Sequence, residues 1–426
     1  MNNSEYLKYS ATEPMTELRR RFNDGESIYK DVPVELSIDN ARADVLYVQY
    51  VFENAYSGYS YYDETLFRTA FISVLDELES LERITPNELI DLMCKHLCFI
   101  SDGHLSFSTQ DYGKGFYKKT QTYVTDLILS EIDGCYFDLH TDKPVSFDNT
   151  LRVFPTITKN GTNAYLLGVR SKEQIEAISV KIGNVEEILP VHKIKSHTTT
   201  DKCLVKECYL GNTAIIACSS FVGDSEEQMN RLYEIGKKCR NYKHVVWDLS
   251  NNLGGNSELP KQFLLGLTGG FRDTLKFLEL RSTLVHAKEY GNIQDIPRHF
   301  EQICNEQTER ADLFNGELHV IVNDMVASSA EIAVAWAKTL HNVTFYGCNS
   351  LGIGRFGELC IYYLPNSKIT LWCPQKVFDT NIVETVGFEP DYWIDSTNVV
   401  GFVQNKIISM FDKFQFVEQL DKFEFS

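Results

Sequence analysis

Apolar residues in the first hundred positions recur every three or four residues. Val45, Leu46, Val48, Val51 and Phe52 form one set; Leu66–Leu81 and Pro86–Leu97 carry two more. Such spacing lines one face of a helix. Pro86 suits a first helical turn, where its missing N–H leaves no bond unmade. Helices are therefore expected from Asn40 to about Leu97, after a polar and irregular start over residues 1–30. Between residues 105 and 205 the pattern becomes β-type. Short runs such as Cys135–Leu139, Leu151–Phe154 and Ala164–Leu167 are separated by turn formers such as Lys159-Asn160-Gly161.

From Thr213 onward strand and helix alternate. Ala214–Cys218, His244–Leu249, Leu318–Val322 and Val343–Tyr346 read as strands, Glu226–Cys239 and Leu259–Leu267 as helices. Phe402, Ile407, Ile408, Phe411 and Phe414 predict a closing amphipathic helix. Alternation of this kind predicts a layered α/β core. Three segments are expected: a helical cap over 1–104, a mostly-β subdomain over 105–205, and an α/β core over 206–426.

The 426 residues carry a net charge of −18, which works against nonspecific binding to nucleic acid or to an anionic membrane. The 11 cysteines are odd in number and contain no CxxC pair, so the expectation is a reducing, cytoplasmic setting. A secreted or periplasmic chain trimmed of its leader would look the same. No run of roughly 18 uncharged apolar residues predicts a transmembrane helix. Cys94 and Cys98 flank His96 at helical spacing without further ligands, so they read as buried thiols.

Four short segments could carry chemistry. Val326-Ala327-Ser328-Ser329-Ala330-Glu331 follows an apolar strand and opens a small-residue helix. Ser328 thus meets the free N–H groups and positive dipole end of a helix start. Ser328-x-x-Glu331 is equally the spacing of a capping box, in which nothing reacts. Asp248-Leu249-Ser250-Asn251-Asn252-Leu253-Gly254-Gly255 ends a strand with paired glycines, either as a tight turn or as a source of N–H donors. Ser101-Asp102-Gly103-His104-Leu105 reads as a turn with a histidine, and Glu384-Thr385-Val386-Gly387-Phe388-Glu389-Pro390-Asp391 as a fixed loop with a carboxylate.

The order DGH, D-L-x-x-N-x-G-G, A-S-x-A-E and E-x-x-G-x-x-P-D resembles the C-terminal-processing (tail-specific) serine peptidases, and within them the tricorn-type, interphotoreceptor-retinoid-binding-protein-like branch. The resemblance covers about residues 205–400 plus the DGH segment. It implies a crotonase-like α/β core in which residues 105–205 occupy the place of a PDZ domain. It implies Ser328 as nucleophile, His104 as general base and Glu384 as acidic partner. Ser329 and Gly254 or Gly255 would supply the oxyanion N–H groups. Two departures are visible. The family's lysine dyad position is filled by Ile353, within Ser350-Leu351-Gly352-Ile353-Gly354, and the serine that precedes the histidine in the tricorn-type branch is Gly103.

The roles are chemically coherent. A serine hydroxyl needs a base within hydrogen-bond reach, an imidazole suits that task, and a carboxylate can orient it. The implied activity is hydrolysis of peptide bonds in a peptide or protein substrate through an acyl-enzyme. No cofactor or metal, nucleic acid or membrane is expected, and the oligomeric state is open. The departures and the retinoid-binding relatives leave an inactive binding protein as the alternative.

Overall fold

A computed structural model describes residues 32–196, 203–270, 275–304, 313–380 and 382–410. The polar start over 1–30, with Phe411 and Phe414, lies outside them. The chain forms two compact units, Met1–Lys118 with Thr274–Asn305 and Ile353–Thr380, and Lys119–Asp273 with Glu306–Gly352 and Asn381–Ser426. Each unit gathers three stretches of chain, a division of a different kind from the linear segments expected above. The fold is mixed α/β with several sheets.

In the first unit, helices α1 (Ile38–Ala55), α2 (Glu64–Glu79) and α3 (Pro86–His96) lie where the periodicity predicts them. Each start is fixed by a cap. Ser37 accepts from the Asn40 amide, Asp63 from the Thr65 amide, and Thr85 and Glu88 form a full capping box with Pro86 inside it. Val45, Val48 and Phe52 on α1 and Phe67, Phe71 and Val74 on α2 are buried together, with edge-to-face rings at Phe52–Phe67 and Phe52–Phe71. The helices share this core with Leu105 and Phe107 of the strand Asp102–Ser108. That strand belongs to a six-stranded antiparallel sheet with strands 113–116, 276–281, 299–304, 356–363 and 370–379. Cys94 is buried as expected. Cys98 is exposed, because α3 ends at His96 and the residue falls beyond its packed face.

The second unit holds an eight-stranded antiparallel sheet over 121–193 and the sheet from which the Gly254 and Ser328 loops leave. In the latter, β1 (Lys206–Leu210) pairs antiparallel with β2 (Thr213–Ala217). Then β3 (His244–Asp248), β4 (Glu317–Val322), β5 (Val343–Gly347) and β6 (Tyr392–Trp393) follow in parallel. The inner positions of its central strands, Val245–Trp247 and Val320–Val322, are apolar and buried because both faces of the sheet are covered there. Val246 and Ile321 pack with Val399, Val403 and Ile407 of the closing helix Val399–Met410, whereas the next residue, Trp247, meets Phe263 from the other face. Phe263 belongs to α5 (Glu258–Thr268), which lies against α4 (Glu226–Cys239). Gly236 and Gly266 permit that approach: a Cβ on either would fall 2.1–2.3 Å from a backbone carbonyl oxygen of the facing helix. Among the described residues no helix is long and apolar enough to cross a membrane.

Candidate active site

The loops that leave the carboxyl ends of β3 and β4 are adjacent, the usual position for a site on a parallel sheet. Side-chain amides knit them together. Asn323 Oδ1 accepts from the Asn251 and Met325 amides at 3.0 and 3.1 Å. The Ala327 amide donates to the Asn252 carbonyl at 3.0 Å, and Asn252 Nδ2 to the Cys218 carbonyl at 2.9 Å. Both asparagines are buried, so these bonds form where water does not compete.

Ser328 then turns the chain into α6 (Ser329–Ala337) with φ 53° and ψ −123°. A non-glycine residue there is held against about 1–3 kcal/mol of backbone strain, which persists only where the surroundings impose it. The capping-box alternative is corrected by the same geometry. Ser328 makes no side-chain cap bond to the first turn.

Glu331 has a different task. It is fully buried, and Oε1 accepts from Ser350 Oγ and from the Gly352 amide at 2.8 Å. Ser350 Oγ in turn accepts from the Phe388 amide at 2.7 Å, and the Leu351 amide donates to the Val326 carbonyl at 2.8 Å. The segment that replaces the lysine motif is thereby tied to the elbow helix. The turn Val383–Gly387, which holds Glu384, docks on the same segment through the Thr385 amide and the Gly352 carbonyl at 2.8 Å. Thr385 has φ 69°, an unusual conformation for a β-branched residue.

The glycine pair separates into two roles. A Cβ on Gly254 would lie 2.9 Å from Ser328 Cβ and 2.9 Å from the Ser329 nitrogen, so Gly254 is pressed against the elbow. Its own N–H donates to Asn252 Oδ1 at 2.9 Å. The Gly254 carbonyl accepts from the Phe221 amide at 3.1 Å. A planar trans peptide aims its N–H opposite its carbonyl, so the Gly255 N–H points away from Phe221.

In the first unit, His104 lies on the strand Asp102–Ser108. The expected turn at 101–105 is corrected. The strand begins at Asp102, whose buried carboxylate does the turn-like bonding, accepting from the His104 and Leu105 amides at 2.8 and 3.2 Å and from Tyr56 Oη at 2.9 Å. The register shift between Asp102 and Ser106 accommodates this bonding. Burial raises the Asp102 carboxyl to about 7 and lowers the His104 imidazole to about 4, so the ring is neutral at neutral pH and able to accept a proton. The two departures from the family pattern are complementary. A Cβ on Gly103 would fall 1.9 Å from Ile353 Cγ2, so the isoleucine at the lysine position occupies the space that a residue larger than glycine needs.

Sequence reasoning missed Lys119. Its buried Nζ donates to the Asp324 and Asn349 carbonyls at 3.1 and 3.3 Å, bracing the loop before the elbow, and burial lowers its pKa to about 8. One lysine among 41 basic residues gives no signal of this. Asp102 was visible only as the first letter of the DGH motif.

By class this is a serine-type peptidase, a hydrolase. Residues 212–392 match the sequence model of peptidase family S41. No curated protein matches the sequence. Among solved structures the chain is similar to mature CPAF, at 11% identity over 88% of this chain and 96% of that one, TM-score 0.47. It is similar to a photosystem II D1 C-terminal processing protease, at 14% identity over 85% and 96%, TM-score 0.41. It is also similar to the tricorn protease, at 11% identity over 84% of this chain and 34% of that one, TM-score 0.41. Likenesses this distant assign no residue.

Proposed function

We propose that the protein hydrolyses peptide bonds in peptide or protein substrates through an acyl-enzyme on Ser328. The observation that carries the reading is the strained elbow at Ser328, φ 53° and ψ −123°, at the start of α6 beside Gly254. His104 is the base that takes the hydroxyl proton, and Glu384 is the acidic partner that orients the base or anchors substrate. The Ser329 N–H, first of the α6 turn, and the Gly255 N–H are the oxyanion donors, each typically worth about 3–4 kcal/mol of transition-state stabilisation. Gly254 is a spacer, since its amide is engaged by Asn252. The core is read as crotonase-like, with the helices over 38–96 as its cap and the sheet over 121–193 in the place of a PDZ domain. The eleven free cysteines support a reducing compartment.

The test is labelling by a fluorophosphonate probe. The wild type is expected to take one label, Ser328→Ala none, and His104→Ala to label about 10²–10⁴-fold more slowly. A label that persists on Ser328→Ala removes Ser328 from the mechanism. A folded wild type that takes no label and cleaves no peptide favours the inactive binding protein.

A further inference from the structure

At the opposite end of the parallel sheet from the elbow, three side chains that the proposed hydrolysis does not use converge. His244 is the first residue of β3, and it stands in register with Glu317, the first residue of β4. Alternation along β4 returns His319 to the face of Glu317. His244 Nδ1 lies 3.3 Å from His319 Nε2 and 3.3 Å from Glu317 Oε2, and His319 Nε2 lies 3.7 Å from the same carboxylate oxygen. Both rings are buried, whereas Glu317 is partly exposed and opens the cluster to solvent.

These separations are those of a coordination polyhedron. Zinc–nitrogen and zinc–oxygen bonds of about 2.0–2.2 Å at tetrahedral angles place ligand atoms roughly 3.3–3.6 Å apart. We propose that His244 Nδ1, His319 Nε2 and one Glu317 carboxylate oxygen hold a single divalent transition-metal ion of the zinc type, with water in the fourth position.

An outer partner fits. His319 Nδ1 lies 3.3 Å from Tyr346 Oη. A proton on Nδ1 donated to that oxygen leaves the Nε2 lone pair turned to the metal, the usual arrangement behind a histidine ligand. Lys243 works against a cation at His244, and Glu317 offsets it.

The five steps from Glu317 to Val322 span about 17 Å, so the ion stands apart from the peptidase chemistry. Its role is to staple the first residues of two neighbouring parallel strands. The inference therefore stands or falls independently of the proposed hydrolysis.

The experiment uses the full chain, stripped with a chelator and titrated with Zn²⁺ against a chromogenic competitor. One equivalent is expected to bind to the wild type and to raise its unfolding temperature. Tyr346→Phe should weaken binding about 10–100-fold, and His319→Gln and Glu317→Gln should weaken it further. Co²⁺ should give the visible bands of a tetrahedral nitrogen/oxygen site without a thiolate charge-transfer band, which separates it from the cysteines. Glu317→Gln is partly exposed and keeps the test open if His319→Gln fails to fold. A wild type that binds no stoichiometric zinc overturns the proposal. So does a Glu317→Gln variant that binds as tightly as the wild type, or a cobalt spectrum dominated by thiolate.

Discussion

Gly254→Ala tests whether the elbow at Ser328 is the reactive centre. The added methyl would sit 2.7 Å from the Ala327 carbonyl oxygen and 2.9 Å from both Ser328 Cβ and the Ser329 nitrogen, where ordinary contact begins near 3.4 Å. The elbow must therefore give way by about half an ångström. A misplacement of about 1 Å costs roughly 10²-fold in rate, and loss of one oxyanion donor roughly 10²–10³-fold. Labelling by a fluorophosphonate should thus slow by about 10²-fold. Stability falls as well, because φ at Gly254 is +94° and a left-handed non-glycine residue costs about 1–2 kcal/mol. Gly134→Ala separates the two effects: φ there is +79°, yet nothing lies within 4 Å of the added methyl. It should lose the same strain energy, read by thermal unfolding, and label at the wild-type rate. A folded Gly254→Ala protein that also labels at the wild-type rate would refute the reasoning.

Four further outcomes follow from the first unit. The acid limb of the labelling rate should lie near pH 4, since burial lowers His104 to about 4 from 6.5 and a protonated ring cannot accept the serine proton; a limb at 6.5 in the pH–rate profile would count against it. Because the folded value is the lower one, the stability His104 contributes is present above pH 6.5 and is lost as pH falls toward 4, which denaturant titrations at several pH values would read. Asp102→Ala removes three hydrogen bonds from a buried site and should cost about 3 kcal/mol in chemical denaturation; Asp102→Asn should retain most of that. Gly103→Ala should cost about 1–3 kcal/mol through overpacking against Ile353 and be relieved by Ile353→Ala, and additive costs in the double-mutant cycle would deny that the positions touch.

What the sequence disclosed follows the physics of each element. Helices with caps were legible: Ser225 and Gln228 bracket the start of α4, and Thr85 and Glu88 that of α3. The buried strands His244–Asp248 and Glu317–Val322 stood out as apolar runs. Ser328 could not be resolved, because a capping box and a nucleophile elbow share one spacing and differ only in backbone angles. The strand at Asp102 was hidden because aspartate and glycine favour turns, and the side chain that makes the turn-like bonds also starts the strand. The His244–Glu317–His319 cluster left no local signal, since 73 positions separate its first two members and only strand register joins them.

Glu331 bears on how such a peptidase could acquire a new preference. Its single carboxylate suspends Ser350 and Gly352 from the elbow helix, and Gly352 in turn carries the turn over Val383–Gly387. A foreign sequence grafted over that turn would be seated by host positions it does not contain, by the Gly352 carbonyl and by Asn349, whose Nδ2 donates to the Val386 carbonyl at 2.6 Å, so a graft succeeds only where those hosts are kept.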